Sequence, residues 1–455
     1  MTEVPAESLL DAAARTYELD RRHVFHSWSA QAEITPMVIT RAEGSYVWDG
    51  AGNRLLDFSS QLVNTNIGHQ HPDVVEAIVE QARTLATVAP QHANDRRSEA
   101  ARLISERTPG DLNRIFFTNG GADANEHAVR MARLSTGRPK VLTRYRSYHG
   151  GTQTAINLTG DPRRWANDKA DAGVVHFFGP YLYRSHFHAS SEAEECERAL
   201  AHLEQVIELE GPQTVAAVLL ESIPGTAGIM LPPPGYLAGV RALCDRYGIV
   251  LVLDEVMTGF GRAGSWFVAE DEGVVPDLLT FAKGVNSGYV PLGGVAIGER
   301  IADHFAHRPY PGGLTYSGHP LACAAAVAAI TVMERDGVVD NARRIGEEVL
   351  GPGLATLAAR HRCVGEVRGR GVFWAVELVA DQVTREPVAP TGGSSPVMAE
   401  AVRACKELGM LPFTNSNRIH MVPPCTVTDD EAREGLRILG EVLGRVDDLL
   451  AKGDG

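Results

Sequence analysis

Val250-Leu251-Val252-Leu253 runs straight into an acidic pair, Asp254-Glu255. A short, continuous, β-branched run of this kind, with Gly248 before it and Gly259 after it, reads as a strand buried on both faces. That is the mark of a parallel sheet. Asp254 then stands at the carboxyl end of a central strand, where open α/β sheets place their ligands. A carboxylate delivered there needs a cation: a metal, a substrate ammonium or a protonated ring nitrogen. Lys283, in Phe281-Ala282-Lys283-Gly284, ends a second apolar strand. Partial desolvation there lowers the pKa of the amine and makes it a nucleophile. The competing reading is a lysine that snorkels to water. The other lysines are few (Lys140, Lys169, Lys406 and Lys452), and that scarcity, with the apolar flanks, keeps the nucleophile in play.

Thr118-Asn119-Gly120-Gly121-Ala122 lies between an expected strand and an expected helix. Small residues there let free N–H groups at the helix start face an anion such as phosphate; an ordinary tight turn has the same composition. The run ending in Asp254-Glu255 also resembles the Mg²⁺ strand of a phosphate-loop ATPase. That reading requires G-x-x-x-x-G-K-[S/T], and no lysine here follows Gly or precedes Ser or Thr. It fails. His69 with His71, and His186 with His188, have H-x-H spacing but no convergent carboxylate or Cys, so they read as structural or substrate-side rather than metal-binding.

Along the chain, strands and helices alternate. Strands are expected over 114–117, 141–145, 215–220, 249–253 and 278–281, helices over 72–85, 122–134 and 193–210, and a loop and helix over 232–246. Residues 161–191 read as an insertion. This alternation implies an α/β fold, a large domain with a mostly parallel sheet flanked by helices. Residues 45–50 and 53–58 read as a hairpin, and residues 1–24 as a helical lead-in. After Met333 come polar helices, strands over 364–367 and 372–378, a Pro/Gly/Ser-rich loop over 387–396, and a closing helix–strand–helix. The expected division is an N-terminal segment (1–60), a large domain (61–335) and a C-terminal segment (336–455), the two ends joining in a smaller α+β domain. A chain of 455 residues that is 44% hydrophobic has room for both. A net charge of −14 argues against nucleic acid or an anionic membrane as partner. The Ala-rich stretch 321–333 is too short to span a bilayer. Six scattered cysteines without C-x-x-C, and no signal-peptide pattern at residues 1–5, fit a reduced, cytoplasmic protein.

Five blocks, taken together, carry a resemblance. Asn119-Gly120-Gly121-Ala122-Asp123-Ala124-Asn125-Glu126, Tyr148-His149-Gly150, Asp254-Glu255-Val256-Met257-Thr258-Gly259-Phe260-Gly261-Arg262, Lys283-Gly284 and Thr315-Tyr316-Ser317-Gly318-His319-Pro320 resemble the class III aminotransferases, pyridoxal-phosphate enzymes of fold type I. The resemblance runs from about residue 44 to 428, in the family's order. It implies that Lys283 holds pyridoxal 5'-phosphate as a Schiff base and, once freed, moves the proton at the substrate carbon. It implies that Asp254 pairs with the pyridine nitrogen, that Tyr148 and Val256 cover the two ring faces, and that Gly120, Gly121 and Ala122 bind the phosphate. The Tyr148-His149 block belongs to the same cofactor site. Thr315 would complete that site from a neighbouring subunit, in a homodimer or a dimer of dimers. Glu221 matches the family's Glu-Pro position with Ser222 in place of the Pro, and would support the network behind the ring.

Departures from the family narrow the substrate. Thr226 stands where ornithine- and 4-aminobutyrate-type members carry an acid that gates a carboxylate-binding arginine, and His420 stands at that arginine's place. The mobile arginine of amine:pyruvate members aligns with Phe413, leaving Arg418 as a substitute. Val63 replaces a pocket tryptophan, with Trp28 and Tyr148 as remaining aromatic walls. The diaminopelargonate branch, with its Trp-Trp pair, is disfavoured. The expected reaction is transfer of an amino group from an ω-amino acid, taurine-like or simple primary amine to a 2-oxo acid, pyruvate foremost, by a ping-pong route. The alternatives are a 2-oxoglutarate-dependent enzyme, a 2,1-aminomutase or decarboxylating transaminase on the same scaffold, and a non-catalytic cofactor-binding protein.

Overall fold

The computed structural model describes residues 6–167 and 171–453; residues 1–5, with the leader reading, and Lys169 lie outside them. Its centre is a seven-stranded sheet, in the order Arg114–Thr118, Gly293–Ile297, Leu278–Phe281, Val250–Asp254, Val215–Glu221, Lys140–Arg144, Val174–Phe177. The last five run parallel. Every residue of the Val215–Glu221 and Val250–Asp254 strands is buried, as their unbroken apolar sequence requires once helices cover both faces. Helix Gly121–Thr136 packs on one face, and its small inward residues Ala124, Ala128 and Ala132 let it lie close to the sheet. The Ala-rich helix Pro320–Arg335 is buried against helices Pro72–Thr84 and Asp95–Ser105.

Two strands of this sheet were not expected. Gly293–Ile297 pairs antiparallel with both its neighbours. Its opening glycines disguise it, yet they are required: a Cβ at Gly293 would lie 2.7 Å from the carbonyl carbon of Gly120, and one at Gly294 2.5 Å from the Phe281 ring. Val174–Phe177, inside the stretch read as an insertion, extends the sheet at its far edge, parallel to Lys140–Arg144. The alternation of Val174-Val175-His176-Phe177 is too short to stand out from the polar loop around it.

The second sheet has eight strands and draws on both ends of the chain. Ile39–Glu43, Tyr46–Asp49 and Arg54–Phe58 form an antiparallel ribbon, and Arg54–Phe58 then pairs in parallel with Met410–Asn415. Arg418–Met421, Phe373–Asp381 and Val364–Arg370 follow, with Glu386–Pro387 beside Phe373–Asp381. The tail therefore reads helix–hairpin–helix, with Pro396–Glu407 before the hairpin and Asp429–Gly453 after it, where a single strand was expected. Among the described residues no helix is long and apolar enough to cross a membrane.

Arg262 joins the two sheets. It is fully buried and donates to the carbonyls of Val372 and Pro423, to Ser60 Oγ (3.2 Å) and to Asn66 Oδ1 (2.9 Å). Burial holds its pKa below the usual arginine value. Replacing it by leucine strands those acceptors in a dry interior, so Arg262→Leu is expected to destabilise the protein by about 2–4 kcal/mol. Denaturant unfolding checks this; a variant as stable as the parent would show that Arg262 does not join the sheets.

Candidate active site

The parallel register aligns Glu221 with Asp254 and Asp254 with Thr280, so three polar side chains share one row at the carboxyl ends of three strands. Helix Gly121–Thr136 adds Asn125 to that row: its Oδ1 accepts from the Thr280 hydroxyl (2.9 Å) and its Nδ2 donates to Asp254 Oδ2 (2.8 Å). His149 Nδ1 lies 2.8 Å from the same carboxylate oxygen, while its Nε2 is 3.3 Å from Thr143 Oγ1. A neutral ring protonated on Nδ1 satisfies both contacts. The Val256 N–H donates to Asp254 Oδ1 (3.0 Å). Donors from three directions therefore fix the carboxylate's orientation. The sequence motif that contains Asn125 gives it no role of its own.

Glu221 accepts from the backbone N–H of Tyr148 (2.9 Å) and of Gly225 (2.8 Å), tying two loops to the strand end. Burial raises its pKa, helped by the charge of Asp254. Glu255 faces the other way. It takes the hydroxyls of Ser222 (2.9 Å) and Thr258 (2.6 Å) and the N–H groups of Val268 and Ala269.

Lys283 follows the Leu278–Phe281 strand and opens a single 3₁₀ turn, Lys283–Asn286, at φ +45°. A left-handed conformation costs a non-glycine residue about 1–2 kcal/mol. It aims the amine into a cavity of about 1010 Å³. Among the described residues that amine has no hydrogen-bond partner. Burial pulls its pKa down to about 8, against the opposing charges of Glu221 and Asp254.

Close approaches bring three loops together beside this row. A Cβ on Gly121 would come 2.8 Å from Val256 Cγ1, and one on Gly150, at φ +133°, would come 2.4 Å from Ala122 Cβ. Helix Gly121–Thr136 starts at Gly120 with no side chain capping its first N–H groups, and open space lies where a Gly120 side chain would be. Thr315 is exposed on its loop and does not line the cavity.

Tyr148, Trp28 and Arg418 line the cavity, with Trp28 69% exposed on the rim. Val63 does not line it. It is buried with Ile223, Met257 and Val422, and Leu62 takes the wall instead. Positive φ at Ser60, Gln61 and Val63 distorts this short turn, Ser60–Val63. His420 is fully buried beside Phe413 (ring centroids 4.9 Å apart) with neither ring nitrogen bonded, and burial holds it well below the usual histidine pKa. Residues the sequence reading passed over also face the cavity. Arg163 lies 3.6 Å over the Tyr148 ring, is clasped by Asp161 and donates to Thr226 Oγ1 (2.9 Å). Arg146, Arg184 and Glu377 lie on the same wall. Of the paired histidines, His69 bonds Asp57 (2.9 Å) and His186 packs on Phe178. Among the described residues no group of three His, Cys, Asp or Glu side chains could hold a metal.

The profile of the family described as aminotransferase class-III matches residues 28–443. The chain belongs to the class III aminotransferases. It is similar to 5-aminovalerate aminotransferase DavT of Pseudomonas aeruginosa, with 36% identity over 90% of this chain and 94% of that protein. A crystal structure of taurine:2-oxoglutarate aminotransferase from Bifidobacterium kashiwanohense, in complex with PLP and glutamate, superposes with a TM-score of 0.93 at 42% identity, covering 99% of this chain and all of that one. An (S)-enantioselective omega-transaminase from Thermomicrobium roseum gives 0.90 at 35%, covering 95% and 99%.

Class III aminotransferases use pyridoxal 5'-phosphate, and the residues here fit it. The unpartnered amine of Lys283 suits its aldehyde, the carboxylate of Asp254 suits a protonated ring nitrogen, and the uncapped helix start suits its phosphate.

The depressed amine carries a stability consequence. Unfolded, a lysine keeps its proton to about 10.5; folded, Lys283 releases it at about 8. Between those values the unfolded chain holds more protons, so stability rises with pH, and below about 8 the full penalty applies. In the cofactor-free protein, Lys283→Met is therefore expected to raise the thermal midpoint at pH 7 by roughly 1–2 °C, with the gain shrinking above pH 8. Thermal scans at both pH values check this; a loss, or a gain independent of pH, would contradict the burial argument.

Proposed function

We propose that this aminotransferase takes an amino group from an ω-amino acid, a taurine-like aminosulfonate or a simple primary amine and delivers it to a 2-oxo acid in a ping-pong cycle. The observation that carries the reading is an unpartnered lysine amine beside two carboxylates, at the base of a cavity whose near wall presents Arg163. The taurine:2-oxoglutarate and 5-aminovalerate enzymes to which the chain is similar support a donor with its amine at one end and an acid at the other.

In this reading Lys283 anchors the cofactor and, once displaced, takes the proton from the substrate carbon that bears nitrogen. When bound, pyridoxal phosphate supplies an aldehyde for the amine and a ring that draws off the electrons left by that proton. Asp254, steadied by Asn125 and His149, holds the proton on the ring nitrogen. Tyr148 and Val256 bracket the ring, and Glu221 keeps Tyr148 in place through its backbone. The N–H groups at Gly120, Gly121 and Ala122 receive the phosphate, and Thr315 from a second copy of the chain completes that site, making the working unit a homodimer. Arg163 is the cation nearest the reacting end. Its clasp by Asp161 and Thr226 offers a route to an anion without the acid gate that Thr226 replaces.

A matrix of donors (taurine, β-alanine, 5-aminovalerate, a simple primary amine) against 2-oxo acids tests this. Alanine or glutamate should form from at least one ω-amine, and absence of any amino-acid product across the matrix would end the proposal. Arg163→Gln should raise KM for the acidic donors about tenfold and leave the simple amine within about twofold. Equal losses on both donor types would remove Arg163 from donor recognition.

A further inference from the structure

Residues 305–319 connect helix Glu299–His304 to the buried helix Pro320–Arg335, and they carry Thr315. Ser317 and Tyr310 pin this segment to the strand and helix on either side of the Gly120-Gly121 turn. The Ser317 hydroxyl donates to the Phe117 carbonyl (2.8 Å), on strand Arg114–Thr118. The Tyr310 hydroxyl lies 2.6 Å from Nδ1 of His127, a buried residue of helix Gly121–Thr136. Burial pushes the Tyr310 phenol up to about 12 and lowers the His127 imidazole. Both are therefore neutral near pH 7, and the phenol donates.

The Tyr310 ring is already held without that bond. It meets Phe116 and Phe305 edge-on, with centroids 5.6 and 5.2 Å apart, and Phe116 packs on the His127 ring at 4.6 Å. A phenylalanine would fill the same space. What the hydroxyl adds is direction, because a hydrogen bond fixes a ring where dispersion tolerates sliding. The chain then folds back over the phenol: a Cβ on Gly312 would come 2.7 Å from the Tyr310 ring. Fixing the ring therefore fixes Gly312, and Tyr310 and Ser317 bracket residues 311–316. Within that span Thr315 is exposed, and Tyr316 is 59% exposed. Ordering such a span costs conformational entropy residue by residue. A span ordered in advance has less freedom to lose when a ligand arrives.

We propose that Tyr310 is a positioning residue: through His127 it presets the 311–316 span of one subunit to serve the phosphate site of the other. The contact lies within one chain, and its effect is felt in the cofactor site of the second copy. This inference rests on the homodimer reading above. Helix Gly121–Thr136 then has two tasks, receiving a phosphate at its first turn and aiming the loop that serves the second copy.

The test follows the release of pyridoxal phosphate from diluted holoenzyme, read from the absorbance of the lysine-bound cofactor. Tyr310→Phe should speed release about tenfold, His127→Phe should do the same, and the double variant should be no faster than either. Mixed dimers, purified through two different tags, then locate the effect. Lys283→Met in one copy leaves a single lysine-bound site to observe, that of the other copy. With Tyr310→Phe in the copy that keeps Lys283, release should stay at the parental rate. With Tyr310→Phe in the copy that lacks Lys283, release should be about tenfold faster. The reverse pattern, or equal rates, overturns the proposal, as does failure of both single variants to fold. A parent that holds the cofactor as a monomer overturns it too and leaves the transaminase reading standing. A parent that takes up no pyridoxal phosphate sinks that reading, and this inference with it.

Discussion

One half-buried amine governs the arrangement of this molecule. Lys283 has been drawn largely out of water, given a left-handed backbone and left without a hydrogen-bond partner among the described residues. None of these choices stabilises the chain. Together they produce an amine that loses its proton near neutrality, which a surface lysine does not do. The apolar Leu278–Phe281 strand supplies the desolvation, and the two carboxylates nearby limit how far the pKa falls.

The register of the parallel sheet carries the rest. Because Glu221, Asp254 and Thr280 are aligned across three neighbouring strands, they emerge on one face, where helix Gly121–Thr136 brings Asn125 to meet them. A slip of one residue in the Val250–Asp254 strand would turn Asp254 to the opposite face and bring Leu253 or Glu255 into the row. The full burial of that strand guards against slippage. Glu255 shows how sharply the faces are separated: one residue along, an identical charge type is consumed by four loop donors and never meets the amine.

Elements whose chemistry is local were legible in the sequence. The strand running into Asp254 and the one ending before Lys283 announce themselves by uninterrupted hydrophobicity, and the helix after Gly121 by its periodicity and small opening residues. What escaped depends on contacts distant in the chain. Gly293–Ile297 looks like a loop because its glycines serve neighbours at residues 120 and 281. Val174–Phe177 is a strand only because Lys140–Arg144 lies beside it. Val63 is buried and Leu62 takes the wall because the Ser60–Val63 turn carries positive φ values, a feature that composition alone does not encode. Arg146 and Arg163 are two arginines in an arginine-rich chain until folding sets one over Tyr181 and the other over Tyr148.

The same distinction separates the charge of the whole chain from that of its cavity. The net charge of −14 is summed over the whole chain. Inside the cavity the wall carries Arg146, Arg163, Arg184, Lys283 and Arg418 against Asp161 and Glu377, an excess of cations when all are ionised. Screening confines exposed charges to a range of about 8 Å at physiological salt, so an anionic substrate at the cavity mouth responds to the local wall more than to the distant surface. Within that wall the excess is not spread evenly. Arg184 pairs with Glu377 and Arg163 is held by Asp161, whereas the guanidinium groups of Arg146 and Arg418 make no ion pair among the described residues. Charge left unpaired in a partly dry space is retained against its desolvation cost only where something else depends on it. An acidic chain thus encloses a cavity whose lining carries more cations than anions, and the two charge balances are set independently.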